Sequence, residues 1–193
     1  MQVHPFRLAD VPATPWRNGG GTTREIVSLP AGASLDAAVW RVSVATIAAN
    51  GPFSLFPGVD RTIMLLEGDG VRLHSPDETA GIDQSLTEPL VPFQFPGDVP
   101  IECTLLGGES MDLNVMARRG QGAATLTVRR ADLTVSAGAG LLLSVGDDAE
   151  VTGDTSKALP HGEGLWWDGP ATFEVRVRPG GAVAVVTWQP SAS

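Results

Sequence analysis

The residues best suited to chemistry stand together near the start of the chain, in Pro15-Trp16-Arg17-Asn18-Gly19-Gly20-Gly21-Thr22-Thr23-Arg24-Glu25-Ile26. Three consecutive glycines lose much chain entropy on ordering, so a fold that keeps them ordered needs unusual backbone angles or a close approach there. One amide, two arginines, one carboxylate and two hydroxyls lie beside them, with no sulfur and no imidazole. Such a set is suited to holding a small polar molecule. The plainer alternative is a loop entering a strand with its charges solvated, since glycine-rich turns are ordinary loop punctuation.

Two further segments carry groups of the same kind. Asn50 to Arg61 reads as a turn, a short apolar lid with Phe53 and Phe56, and a Pro57-Gly58 turn that delivers Asp60 and Arg61 to a strand start. At strand period 2, Arg61, Ile63 and Leu65 share one face. An arginine aimed into an apolar barrel is costly unless it meets an anion. The alternative is that Arg61 pairs with Asp60 or a nearby Glu at a barrel rim, where the pair is worth little. In Met111 to Arg119 the same alternation puts Asp112, Asn114 and Met116 on one face. If that face points inward, Asn114 is a donor and acceptor for a ligand. If it is a strand edge, Asp112 is solvated.

Other chemistries lack their residues. A barrel metal site draws on clustered imidazoles, and the three histidines, His4, His74 and His161, are far apart in sequence, so no metal site and no cofactor is expected. Cys103 is the single cysteine and lies in a strand-like run, which reads as a buried, inert thiol. There is no Ser-His-Asp set, no Cys-His pair and no Gly-Lys-Ser/Thr phosphate loop. No catalytic residue is singled out. Glu25, beside Arg24 and Thr22, is the one carboxylate placed to serve as a general base in a desolvated pocket.

The elements that must position these groups are strands. No fifteen-residue window keeps a clean helical apolar pattern. Strands are expected at Trp40–Ile47, Arg61–Leu66, Val71–His74, Leu90–Phe95, Ile101–Leu106, Asp112–Met116, Ala124–Val128, Leu133–Ser136, Gly140–Val145, Glu150–Thr152, Gly164–Trp167, Thr172–Arg178 and Ala182–Trp188. Arg61–Leu66, the turn Glu67-Gly68-Asp69-Gly70 and Val71–His74 read as a hairpin. Many short strands separated by turns make an all-β sandwich or barrel. The glycine-rich Arg119–Ala123 step divides the chain into residues 1–119, which hold the polar motifs, and residues 120–193, a smoother β half packed against the first. Strand exchange between the halves is compatible with this division. The pair Trp166-Trp167 reads as core packing of the second half in preference to an exposed interface.

Composition bounds the partners. Thirteen Lys+Arg stand against twenty-two Asp+Glu, for a net charge of −9, and Lys157 is the only lysine. No basic stripe is present, so nucleic acid is not an expected partner. No apolar run approaches the roughly 20 residues of a membrane span. The N-terminal residues lack the pattern of a secretory signal, so the expected location is the cytoplasm. Arginine in place of lysine favours bidentate capture of a carboxylate or phosphate.

Trp16–Ile26, Trp40–Ala45, Asp60-Arg61-Thr62 with Leu66–Gly70, Pro92–Asp98 and Asp112–Arg119 together resemble the HutD/Ves family, in that order along the chain. The likeness is densest before residue 120. It implies a cupin-like double-stranded β-barrel (jelly roll) with two barrel-like halves in one chain, a bicupin-like arrangement. It also implies a relative of metal cupins without their histidine ligands. Members accompany bacterial histidine-utilisation genes or are described as stress-related. Their proposed role is to moderate histidine catabolism by binding an intermediate such as formylglutamate or urocanate.

Residues and resemblance meet on a small carboxylate metabolite, which calls for arginines and amides in a concave, partly apolar pocket. The candidate ligand-binding set is Asn18, Gly19, Gly20, Gly21, Thr22, Arg24, Glu25, Arg41, Phe56, Arg61 and Asn114, with Phe53 as a further wall. Two other functions stay open: a cupin enzyme acting on a small carboxylate, and a structural or partner-binding protein. A homodimer through a barrel edge is compatible with each.

Overall fold

The computed structural model describes residues 2–34, 37–153 and 157–191. Apart from two short 3-10 turns, every regular element among them is a strand. The chain opens with β1 (Gln2–Arg7), then β2 (Ala13–Pro15), β3 (Gly21–Leu29), β4 (Trp40–Ile47), β5 (Gly51–Pro52) and β6 (Val59–Gly68). It continues with β7 (Val71–His74), β8 (Asp83–Leu86), β9 (Pro92–Pro96), β10 (Glu102–Leu105) and β11 (Ser110–Arg118). The remainder is β12 (Gly122–Arg129), β13 (Leu133–Ser144), β14 (Ala149–Gly153), β15 (Lys157–Leu159), β16 (Glu163–Val177) and β17 (Val183–Pro190). Contacts divide the chain into two compact units, Pro12–Gly120 and Met1–Val11 with Gln121–Ser193. The sequence reading took residues 1–119 as one half. In the structure β1 pairs with β16, so the first strand lies in the sheet otherwise built by residues after 120.

The Pro12–Gly120 unit has a six-stranded sheet, β2-β3-β4-β11-β6-β9, and a four-stranded sheet, β5-β10-β7-β8. Neither closes on itself, so the expected jelly roll is built from open sheets. Ile47, Ile63 and Phe95 of the larger sheet pack with Val71, Leu73, Leu86 and Cys103 of the smaller in one apolar cluster. Removing these side chains from water is the main term holding the two sheets together. The expected hairpin at 61–74 does not form: β6 pairs with β11 and β9, while β7 pairs with β10 and β8. Its turn is a corner between sheets. Gly70 donates its N–H to Ser110 Oγ at 2.9 Å, and Asp69 Oδ2 accepts from the Gly108 N–H at 2.7 Å. These bonds tie the corner to the start of β11 rather than extending a ladder between β6 and β7.

The other unit is a seven-stranded antiparallel sheet, β12-β17-β13-β16-β14-β15 with β1 on β16. Its core joins Leu142, Leu165, Trp167, Phe173 and Val175. Where two short strands were expected in each place, β13 and β16 run unbroken through residues 137–139 and 168–171, with a bulge between Ala137 and Ala139. The Trp166-Trp167 pair divides its roles. Trp167 is fully buried, edge-on to Phe173 at 4.9 Å, whereas Trp166 is half-buried and stacks on His4 at 3.9 Å. No helix among the described residues is long and apolar enough to cross a membrane.

Candidate functional site

The glycine triplet sets one edge of the site. Trp16 and Gly21 are joined by Trp16 N–H to Gly21 O at 2.9 Å, and Gly19 N–H returns to Trp16 O at 3.0 Å. Asn18 Oδ1 accepts from Gly20 N–H at 3.0 Å, the local side-chain turn that asparagine favours. Gly20 O then accepts from the N–H groups of Ala48 and Ala49 at 2.9 and 3.1 Å. A Cβ on Gly21 would overlap the Thr46 carbonyl and press on the Trp16 ring at 3.1 Å. The triplet is therefore a close approach between the start of β3 and the end of β4. The indole of Trp16 is fixed by its N–H to Thr23 Oγ1 at 2.7 Å.

Behind this turn, the Pro12–Gly120 unit holds a cavity of ≈ 720 Å³ that is open to solvent on one side. Of the expected residues, Asn18, Glu25, Arg41, Phe56, Arg61 and Asn114 line it, together with Phe53. Gly19, Gly20, Gly21, Thr22 and Arg24 are not in the lining. For Thr22 and Arg24 the cause is the alternation of β3: Thr23 and Glu25 take the cavity face and their neighbours take the other. The three glycines support the rim through their backbone. Trp16, Arg17, Thr23, Ser43, Ile63 and Met116, which are outside the candidate set, also line the cavity. Period 2 from Arg41, Arg61 and Asn114 marks Ser43, Ile63 and Met116 as companions on the same faces.

The two buried arginines differ in state. Arg41 donates Nε–H to Glu25 at 2.6 Å and Nη1–H to Ser43 Oγ at 3.2 Å, and Met116 Sδ lies 3.7 Å from the same Nη1. Its charge is matched inside the site. Arg61 is 5% exposed and has no ion pair among the described residues, and its Nε has no hydrogen-bond partner. Asp60, its sequence neighbour, is engaged by Arg119 at 2.8 Å, so the rim pairing held open from sequence is not formed. Three rings surround the guanidinium instead, Phe53 and Phe95 at 5.0 Å and Phe56 at 5.4 Å from its central carbon. These contacts attract a cation but cancel none of its charge. Burial, and then the nearby Arg41 charge, lower its pKa to about 10.

On β11 the inward face carries Asn114 and Met116, as period 2 predicts, with Asp112 before them. Asn114 is 9% exposed and its Oδ1 has no partner among the described residues. Asp112 is fully buried rather than solvated, which corrects the strand-edge alternative. Cys103 is buried, and burial first, then the Asp112 charge, push its thiol up to about 12. It is not a nucleophile at neutral pH.

Resemblance to metal cupins raises the question of a metal. The cavity lining offers guanidinium groups, amides, hydroxyls and one carboxylate already held by Arg41, with no imidazole. His4 stacks on Trp166, His161 Nδ1 lies 3.1 Å from Gly146 O, and His74 is on β7. Among the described residues no group of three or more His, Cys, Asp or Glu is placed to hold a metal ion. This lining does not fit a metal ion.

Comparison with known proteins agrees with this fold and these motifs. A family model described as HutD matches residues 8–185. Protein Ves of Citrobacter koseri is 40% identical over 192 residues, covering 96% of this chain and 94% of its own. The structure of HutD from Pseudomonas fluorescens SBW25, in a formate condition, superposes with a TM-score of 0.81 at 30% identity, covering 97% of this chain and all of that one. An oxalate decarboxylase from Lactobacillus farciminis, in a formate complex, gives a TM-score of 0.61 at 8% identity over 98% of this chain and 87% of its own. At that identity the likeness is one of fold alone, and it makes the architecture cupin-like.

Proposed function

The chain belongs to the HutD family, and from that premise we propose that its cavity binds a small carboxylate metabolite without a metal and thereby moderates histidine catabolism. The observation that carries this reading is Arg61: a buried guanidinium that, among the described residues, has an unpartnered Nε and no counter-ion, opening onto a cavity. An uncompensated buried cation is costly, and a carboxylate that accepts two of its N–H groups relieves the cost. The phenyl rings of Phe53 and Phe56 supply an apolar wall, and Asn114 a polar contact opposite Ile63 and Ser43. Formylglutamate and urocanate match this chemistry, each being a carboxylate with a further polar group. Glu25 is held by Arg41 at 2.6 Å, which engages the one carboxylate considered as a general base.

The test is a thermal-shift screen of the purified protein against formylglutamate, urocanate, histidine and glutamate, each with and without divalent cations. A saturable rise in Tm with a carboxylate, independent of cations, is expected, because a ligand of the native state stabilises it by mass action. A rise that needs a divalent cation contradicts the proposal.

A further inference from the structure

The inward face of β11 carries one polar group that the cavity does not use. Asp112 lies two residues before Asn114, fully buried, and neither of its carboxyl oxygens has a hydrogen-bond partner among the described residues. Its cross-strand neighbours, Ala45 on β4 and Leu65 on β6, do not titrate. Further along those strands on the cavity side stand Arg41, engaged by Glu25 of β3, and Arg61. From the opposite sheet, β7 contributes the buried apolar Val71 and Leu73, with Arg72 and His74 alternating to the other face. β10 contributes Cys103, whose thiol feels both the Asp112 and the Arg61 charge. Glu67, at the exposed end of β6, is the acid next along that strand.

An ionised carboxylate in this place is shut off from bulk solvent and has no donor among the described residues, so the neutral acid is favoured. Burial carries its titration up to about 7, within the physiological range. Of the two buried arginines at the Met116 level of this sheet, Arg41 is paired with Glu25, and Arg61 has no ion pair among the described residues. The field of Arg61 favours ionised Asp112 while the cavity is empty. An anion on Arg61 cancels the field and favours the neutral acid.

We propose that Asp112 is a proton-binding site coupled to the cavity: an anion held by Arg61 draws one proton from solvent onto a carboxyl oxygen of Asp112, and loss of that proton weakens the hold on the anion. The proposal rests on the reading of the cavity as an anion site. Arg61 pairs with Met116, four residues along β11 from Asp112, about 14 Å at the rise of a strand. At an interior effective dielectric, two charges at that separation alter each other's equilibria several-fold.

Isothermal titration calorimetry with N-formylglutamate, whose own charge is constant between pH 6 and 8, tests this. Run in PIPES and in Tris, it reads proton uptake as a buffer-dependent enthalpy. The expected result is net uptake of up to one proton near pH 7 and an affinity that falls about fivefold from pH 6 to pH 8. Asp112→Asn is expected to abolish both the uptake and the slope. A buffer-independent enthalpy with intact binding overturns the coupling and leaves the anion site standing, as does a slope that survives in Asp112→Asn, which assigns it to a histidine. No saturable binding at either pH overturns the anion site and the coupling with it. Should Asp112→Asn fail to fold, carboxyl carbon NMR of the wild-type protein decides. A buried carboxyl whose titration midpoint rises on adding N-formylglutamate supports the proposal, and a fixed midpoint overturns it.

Discussion

Replacing Arg61 by methionine separates a binding arginine from a structural one, because the two roles move stability in opposite directions. Methionine keeps a flexible apolar stem and removes the charge. The guanidinium is 5% exposed and titrates at about 10 against an ordinary 12.5. That displacement corresponds to about 3 kcal/mol by which the fold disfavours the charge. The charge is present, and its cost complete, at every pH below about 10. The three phenyl rings return about 0.5–1 kcal/mol each. Arg61→Met is therefore expected to leave the ligand-free protein about 1 kcal/mol more stable, a Tm rise of roughly 2–4 °C for a protein of this size. Binding moves the other way. Two charge-assisted hydrogen bonds at about 1.5–3 kcal/mol each make the carboxylate affinity fall at least about a hundredfold. Thermal melts and calorimetry with formylglutamate read both effects. A variant that loses several kcal/mol of stability while binding as tightly as wild type refutes the reasoning, since Arg61 would then be a strut.

Other substitutions probe the neighbouring groups. Glu25→Gln frees Arg41, so the preference for a dicarboxylate over the matched monocarboxylate is expected to rise several-fold in calorimetry; an unchanged ratio contradicts the assigned Arg41–Glu25 pairing. Asp112 titrates at about 7 in the fold against an ordinary 3.8, so its stabilising proton is fully present below pH 3.8 and its contribution is lost as the pH rises to 7. Urea melts from pH 4 to 8 are therefore expected to show Asp112→Asn gaining about 4 kcal/mol on wild type across that range, and parallel profiles contradict it. Gly21→Ala, which drives a Cβ into the Thr46 carbonyl, is expected to cost more than about 2 kcal/mol, against about 1–2 kcal/mol for Gly19→Ala, which has open space but a φ of +71°. Equal losses in denaturant melts contradict the close-approach role given to Gly21.

Much of the site was legible because strand alternation is a local rule. It put Arg61 with Ile63, and Asp112 with Asn114 and Met116, and those faces line the interior of the Pro12–Gly120 unit. Where the rule misled, the choice of face was underdetermined. Arg24 and Thr22 attracted notice by their chemistry, yet Thr23 and Glu25 face the cavity. Bulges after Glu25 and before Asp112 shift the register on both strands, and nothing in the local sequence marks them. Long-range pairing was less legible still. The Glu67–Gly70 turn resembles a hairpin loop, but its bonds to Gly108 and Ser110 send the chain into the other sheet. The gap expected at 137–139 is bridged by a continuous β13, in which Gly140 makes room for the Trp167 ring that crosses it. The pairing of β1 with β16 joins residues more than 150 positions apart, beyond any local pattern.

The most direct test of the Arg61 anion site is a crystal structure of the protein with N-formylglutamate. The account predicts a carboxylate within hydrogen-bond distance of the Arg61 guanidinium, inside the cavity walled by Phe53 and Phe56. A ligand bound only at exposed arginines such as Arg72, with Arg61 untouched, would contradict it.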